Sequence, residues 1–322
     1  MTTPFSSNST TDEVLEGRDL RGKRILITGV SSGLGRETAR ALLAHGADVV
    51  GTARELATGG DELDQAAGEG GANFVLRAMD LADLASVKSI SDELLAEGTP
   101  LDLVILNAGI MAPPLGRTRD GFELQFGTNF LGHFALATRL APLMREGARL
   151  VVLSSNAHRM ADVDLDDPNF ENTAYDPWVA YGRSKTADAL LAVAFDARNR
   201  ARGVRAASVH PGIIMTELAR SIDPAEFGAA MTAMSEQHIA LGNAPFEPKS
   251  VPQGAATTVW AGLVADADAI GGRYCEDCGV GQILDRDAAV SAFAPGVLPY
   301  ALDEDRAEAL WRLAEELVGP AS

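Results

Sequence analysis

Short apolar runs alternate with amphipathic stretches along the chain, the pattern of strands alternating with helices. Residues 24–28 (RILIT) are apolar and end abruptly in Gly-Val-Ser-Ser-Gly-Leu-Gly. Residues 36–45 follow with helical periodicity and close at Gly46, and a second apolar run at 48–52 completes a strand–helix–strand unit. Further strands are expected at 73–78, 101–106, 149–153 and 204–209, with a last one around Tyr274. Long helices are expected over 121–145 and 177–202. The tail 303–317 sets Leu310, Trp311, Leu313, Ala314 and Leu317 at helical spacing, an amphipathic helix to dock on the domain or on a partner subunit. This order predicts an α/β fold, a doubly wound parallel sheet of the Rossmann type with helices on both faces. A ligand should then lie over the carboxyl ends of the strands, at the topological switch point.

With 322 residues, 46% of them hydrophobic, the chain suits one large domain over 19–322 better than two small ones. Residues 1–18 read as a mobile Ser/Thr-rich lead-in without the basic and apolar regions of a secretory signal. A net charge of −18 argues against nucleic acid or an anionic membrane as the main partner. No apolar run is long enough for membrane insertion. Two cysteines make no disulfide framework and fit a reducing cytoplasm. Arginine outnumbers lysine and alanine is abundant, a composition suggestive of a bacterial source.

Two patterns carry chemistry. Gly29, Gly33 and Gly35, after a strand and opening a helix, let the backbone turn tightly against a pyrophosphate on the helix N-terminus. Tyr181 and Lys185, four residues apart, share one face of a helix. A nearby ammonium favours a phenolate, so Lys185 should lower the Tyr181 pKa and make the phenol an acid/base. At the end of the second strand Ala53 stands where an acid would bind a ribose hydroxyl, and Arg54 offers a guanidinium to a phosphate. That favours NADP(H) over NAD(H).

The spacing Thr28-Gly29-x-x-x-Gly33-x-Gly35 resembles that of the short-chain dehydrogenase/reductase family, and later landmarks match the family in order. They are Asp80-Leu81, Asn107-Ala108-Gly109, Asn129 in FGTNFLGHF, Ser154-Ser155, Tyr181 with Lys185, and His210-Pro211-Gly212 followed by Thr216. Leu106 replaces the first Asn of the family's Asn-Asn-Ala-Gly. The resemblance implies a nicotinamide cofactor held by Gly29, Ser31, Ser32, Gly33, Leu34, Gly35, Arg54, Asp80, Leu81, Asn107, Ala108, Gly109, Tyr181, Lys185, Pro211, Gly212, Ile214 and Thr216. It implies a catalytic set of Asn129, Ser155, Tyr181 and Lys185. Ser155 would hold the substrate oxygen, Lys185 the nicotinamide ribose, and Asn129 a water passing protons to solvent. Family analogy also implies a homodimer or homotetramer through the 121–145 and 177–202 helices.

The run Leu153-Ser-Ser-Asn-Ala-His158, the long gap before Tyr181 and the FGTNFLGHF helix look like the branch of retinol dehydrogenases, WW-domain oxidoreductases and light-dependent protochlorophyllide reductases. The segment 212–250 would cap the substrate. It carries Ile213, Ile214, Met215, Leu218, Ile222, Phe227, Met231, Met234 and Ile239, which suit a small hydrophobic alcohol or carbonyl compound. Reduction of a carbon–carbon double bond is the rival chemistry, and a non-catalytic NADP-sensing protein the rival class; the complete catalytic set speaks against the latter. Asp162, Asp164, Asp166 and Asp167 lack calcium-loop spacing and read as a solvated loop. Cys275 and Cys278 lack a second ligand pair and read as packed thiols, so no metal is expected. His133 and His158 read as core or solvated histidines.

Overall fold

A computed structural model describes residues 4–56, 60–215, 218, 222–242, 245, 247–285, 291 and 293–319. Its sheet contains β1 (Arg24–Thr28), β2 (Asp48–Ala53), β3 (Phe74–Ala78), β4 (Leu101–Leu106), β5 (Met144–Leu153), β6 (Arg205–Val209), β7 (Arg273–Glu276) and β8 (Gly279–Val280). The order is β3-β2-β1-β4-β5-β6-β7-β8, parallel throughout except for β8 against β7. The chain winds outward from β1 to β3 and returns to β4, so the direction reverses between β1 and β4. Connections diverge there and leave a crevice at the strands' carboxyl ends.

Helices α1 (Thr11–Leu15), α2 (Gly33–Ala44), α3 (Gly60–Gly70), α4 (Leu84–Glu97), α5 (Gly132–Leu140), α6 (Pro177–Asn199), α7 (Pro224–Ala240), α8 (Val251–Val259), α9 (Ala267–Ile270) and α10 (Glu304–Val318) surround it. Side chains alternate across each strand. Leu26, Val104 and Leu150 pack with α4, α5, α6 and α10, while Ile25, Leu103 and Val151 pack with α1, α2 and α8. The central strands therefore read as continuous apolar runs, because both faces are covered.

Four differences from the sequence reading have physical causes. Helix α2 starts at Gly33, three residues early, because the last glycines of the turn are its first turn. The 121–145 helix is interrupted: a π-helical turn spans Phe126–Leu131, α5 follows, and Arg145 already lies in β5. The start of β5 is polar and irregularly paired with β4, and Arg145 there meets the buried Asp102, which also takes Lys23 at 3.1 Å. The expected mobile lead-in contains α1, closed by a capping box between Thr10 and Glu13, with Val14 and Leu15 buried against the domain. The acidic loop is tied rather than solvated. Asp167 accepts the N–H groups of Glu171, Asn172 and Thr173, while Arg183 holds Asp164 and Arg306 holds Asp162.

Helix α6 buries 17 of its 23 residues within one chain, since α10 lies across it. Trp311 meets Phe134 edge-on at 4.8 Å and carries the Arg198 guanidinium 4.1 Å over its ring. The chain's own C-terminal helix thus packs on α6. No described helix is long and apolar enough to cross a membrane. Trp311→Ala should destabilise the fold by about 3–5 kcal/mol, read from urea unfolding; an unchanged midpoint would show that α10 does not hold this face.

Candidate active site

Strand β1 ends in Thr28, and its hydroxyl is the junction of the site. It accepts the N–H groups of Asn107 at 2.9 Å and Ala108 at 3.0 Å, just past β4. Its own proton is therefore directed to His133 Nε2, 2.9 Å away. That fixes the tautomer, with His133 Nδ1–H donating to the Asn129 carbonyl at 2.8 Å. Burial pushes His133 down to about 3, so it is a neutral strut. Sequence reasoning took it as a core or solvated histidine; the strut depends on a contact between Thr28 and a residue 105 positions on.

The glycine turn is built against this junction. Asn107 Nδ2 donates to the carbonyls of Thr28 at 2.8 Å and Gly29 at 3.2 Å. Gly29 has φ +76°, and a Cβ on Gly35 would overlap the Gly29 carbonyl and the Asn107 amide. Ser32 precedes α2 in extended conformation and gives its first turn no side-chain cap. Gly33, Leu34 and Gly35 thus open a twelve-residue helix whose first-turn N–H groups no side chain caps, a donor set that can cradle an anion. A dinucleotide's pyrophosphate fits that donor set. Arg36 bonds back to the Ser31 carbonyl and pairs with Glu62, whereas the Arg54 side chain stands exposed beyond β2.

Around the crevice, Asp80 Oδ1 accepts the Ala82 N–H, and Leu81 packs under Gly132. Gly109 lies between Asn129 and Lys185; a Cβ there would come 3.2 Å from Asn129 Oδ1 and 3.8 Å from Lys185 Nζ. On the opposite wall, beyond Pro211, Gly212 has φ +95° and leaves room for the Lys249 side chain. Ile214 and Leu34 converge at Gly254 of α8, joining the two halves of the cradle. Thr216 lies outside the described residues.

Helix α6 brings the acid/base candidates in. Asp176 caps its start through the N–H groups of Trp178 and Val179, with Pro177 in the first turn. Tyr181 and Lys185 are both buried, and Lys185 Nζ lies 5.8 Å from the Tyr181 ring centroid. Ser154 donates to the Lys185 carbonyl at 2.7 Å, whereas Ser155 Oγ accepts the Ala157 N–H at 3.1 Å and lies on the side of the Tyr181 phenol, whose pKa it pulls down. Asn129 sits in the π-helical turn, and its amide is committed to both sides. Its Oδ1 accepts the Ile110 N–H at 2.9 Å, and its Nδ2 donates to the Ile110 carbonyl and to Ser184 Oγ, each at 3.0 Å.

The electrostatics differ from the simple expectation. Burial pushes the Tyr181 phenol above its ordinary value; Lys185 and Ser155 pull it down but do not prevail. Tyr175 is no rival: it donates to the Pro113 carbonyl, and burial pushes it to about 12. Tyr274, remote in sequence, returns on β7 and packs 5.1 Å from His158. Burial raises its phenol well above the usual range. His158 itself is a core group, accepting the Leu298 N–H on Nε2. Cys275 and Cys278 are buried free thiols, pushed by burial to about 12 and about 11. Among the described residues no His/Cys/Asp/Glu cluster suits a metal.

A doubly wound sheet with a phosphate-ready glycine turn at its switch point, beside a buried Tyr–Lys pair, is the architecture of a dinucleotide-dependent oxidoreductase. Comparison with known proteins agrees. The family model described as short chain dehydrogenase matches residues 23–226, and the chain belongs to the short-chain dehydrogenase/reductase family. A "Probable oxidoreductase" of Streptomyces lividans is 42% identical over 91% of this chain and 96% of its own. Retinol dehydrogenase 14 of Mus musculus is 35% identical, over 93% of this chain and 87% of its own. A short chain dehydrogenase from Burkholderia cenocepacia, solved in complex with NADP, shares the fold. Its TM-score is 0.62 at 24% identity, covering 81% of this chain and 99% of that one.

Gly35→Ala should weaken NADPH binding by ~10-fold or more, about 1.4 kcal/mol, measured by fluorescence titration. Binding that stayed unchanged would remove the glycine turn from the cofactor site.

Proposed function

We propose that the protein is an NADP(H)-dependent oxidoreductase that interconverts a small hydrophobic alcohol and its ketone or aldehyde. The observation that carries this reading is the buried Tyr181–Lys185 pair at the carboxyl end of β5, with Lys185 Nζ on the Leu153 carbonyl and beside Gly109, and with Ser155 acting on the phenol. When bound, the cofactor supplies the hydride in reduction and accepts it in oxidation. Ser155 holds the substrate oxygen, and Tyr181 gives its phenolic proton to that oxygen as it becomes an alkoxide, or takes it back in the reverse direction. The Lys185 ammonium stabilises the phenolate so formed. Asn129 anchors the Ile110 backbone and, through Ser184, the helix that carries both groups.

Substrate class is supported by the cap. Met215 and Ile239, beyond Gly212, expose apolar side chains that suit an apolar ligand. Similarity to a retinol dehydrogenase supports the same class. NADP(H) is favoured by the exposed guanidinium of Arg54 after Ala53, and by a fold neighbour solved with NADP. Free buried thiols suit a cytoplasmic location.

Tyr181→Phe should retain cofactor binding and lose ~10²–10⁴-fold in kcat against retinoid, steroid and aromatic carbonyl substrates; substantial residual turnover would exclude Tyr181 as the proton donor. Arg54→Ala should lower the NADP(H) to NAD(H) ratio of kcat/KM by ~10-fold, about 1.4 kcal/mol. An unmoved ratio would refute the assigned role of Arg54.

A further inference from the structure

Asp188 lies one turn beyond Lys185 on α6, 1% exposed, with Oδ2 2.8 Å from Lys185 Nζ. Its Oδ1 is buried without a hydrogen-bond partner. A carboxylate in that state is costly, and a fold that needed only packing there would be better served by a neutral side chain. The cost is intelligible from the lysine's side. Lys185 is itself buried, and among the described residues its ammonium donates, besides Asp188, only to the Leu153 carbonyl, at 2.9 Å. Burial alone would drive that amine neutral, and a neutral amine has no charge with which to stabilise a phenolate.

We propose that Asp188 is the counter-ion that keeps the buried Lys185 ammonium protonated, and thus the positioning residue through which Lys185 tunes Tyr181. The inference rests on the reading of Tyr181 as proton donor.

The surroundings leave Asp188 alone in this task. His133 on α5 is neutral, and His158, on the Asn156–Met160 turn, is pushed by burial to about 4. Arg159 on that turn reaches His158, His210, Tyr274 and Glu276, and bonds to the Ala294 carbonyl. From β7, Tyr274 is held neutral by burial, and Glu276 is pushed to about 7. Tyr300 donates to the His158 carbonyl. The other charges on α6, Arg183, Asp196 and Arg198, pair with Asp164, Arg205 and Glu308. Lys185 is the one charged group that acts on Asp188 among the described residues. Burial works against the ammonium, but Asp188 outweighs it and holds Lys185 above its ordinary value. Lys185 also acts on Tyr181 more strongly than Asp188 does, so discharging the pair raises the phenol's pKa.

The direct test is a pH titration of ¹³Cε-labelled lysine by NMR in the whole protein. The lysines are only Lys23, Lys88, Lys185 and Lys249, and Lys185→Met assigns the signal. Asp188→Asn should lower the Lys185 midpoint by about two pH units or more; an unmoved or higher midpoint overturns the proposal. That measurement needs no turnover, so it stands even where the proposed redox reaction fails. In an active enzyme, the acid limb of kcat/KM for alcohol oxidation should move up by about one pH unit in Asp188→Asn. A limb that stays or moves down overturns the tuning of Tyr181. Should Asp188→Asn not fold, the double variant Lys185→Met/Asp188→Asn buries no charge and should be more stable than Lys185→Met in urea unfolding. A double variant no more stable than that single one overturns the pairing.

Discussion

The Thr28 hydroxyl joins the two strands that part company at the switch point. By accepting two N–H groups from beyond β4 and donating to His133, it binds the end of β1 to the end of β4 and then to Asn129. Parallel strands that diverge leave backbone polar groups unpaired at their ends, and a crevice survives only when something else satisfies them. Asn107 satisfies the turn carbonyls from one side, and Asn129 satisfies Ile110 from the other. The glycine turn and the helix that carries Tyr181 and Lys185 are therefore parts of one hydrogen-bonded network.

Rigidity in α6 serves the same end. A buried phenol, ammonium and carboxylate in consecutive turns would be expensive on a helix free to fray. Here the helix is capped by Asp176, backed by β5 and β6, and clasped by α10 through Trp311 and Arg198. The wall beyond Gly212 is of another kind: Met215, Leu218 and Ile239 present apolar side chains to solvent.

Much of the frame was readable from local pattern. Strands β1, β2, β4 and β6 are apolar runs because both sheet faces are covered, and the glycines of the turn reveal themselves because only glycine accepts the geometry. Spacing alone put Tyr181 and Lys185 on one helical face, since a helix repeats whatever surrounds it. Contacts between distant segments were silent. Helix α1 looked mobile because its short apolar face, Val14 and Leu15, has meaning only against α2 and α8. Strand β5 looked shorter because Arg145 is polar, and its partner Asp102 belongs to another strand. Tyr274 looked remote until the sheet order set β7 beside β6.

The sign of the Tyr181 shift marks the division most clearly. Sequence places an ammonium one turn away and so foresees a lowered pKa, but it does not disclose how completely the phenol is buried or that Asp188 already holds that ammonium. Desolvation depends on every atom packed around a group, and those atoms come from β5, the turn after Ser155 and the π-helical turn as well as from α6. Residue types and local periods establish the family and the fold, and place Tyr181 and Lys185 on one helix face. Only tertiary packing, by removing water from charges brought together across the chain, decides how strongly each of them holds its proton.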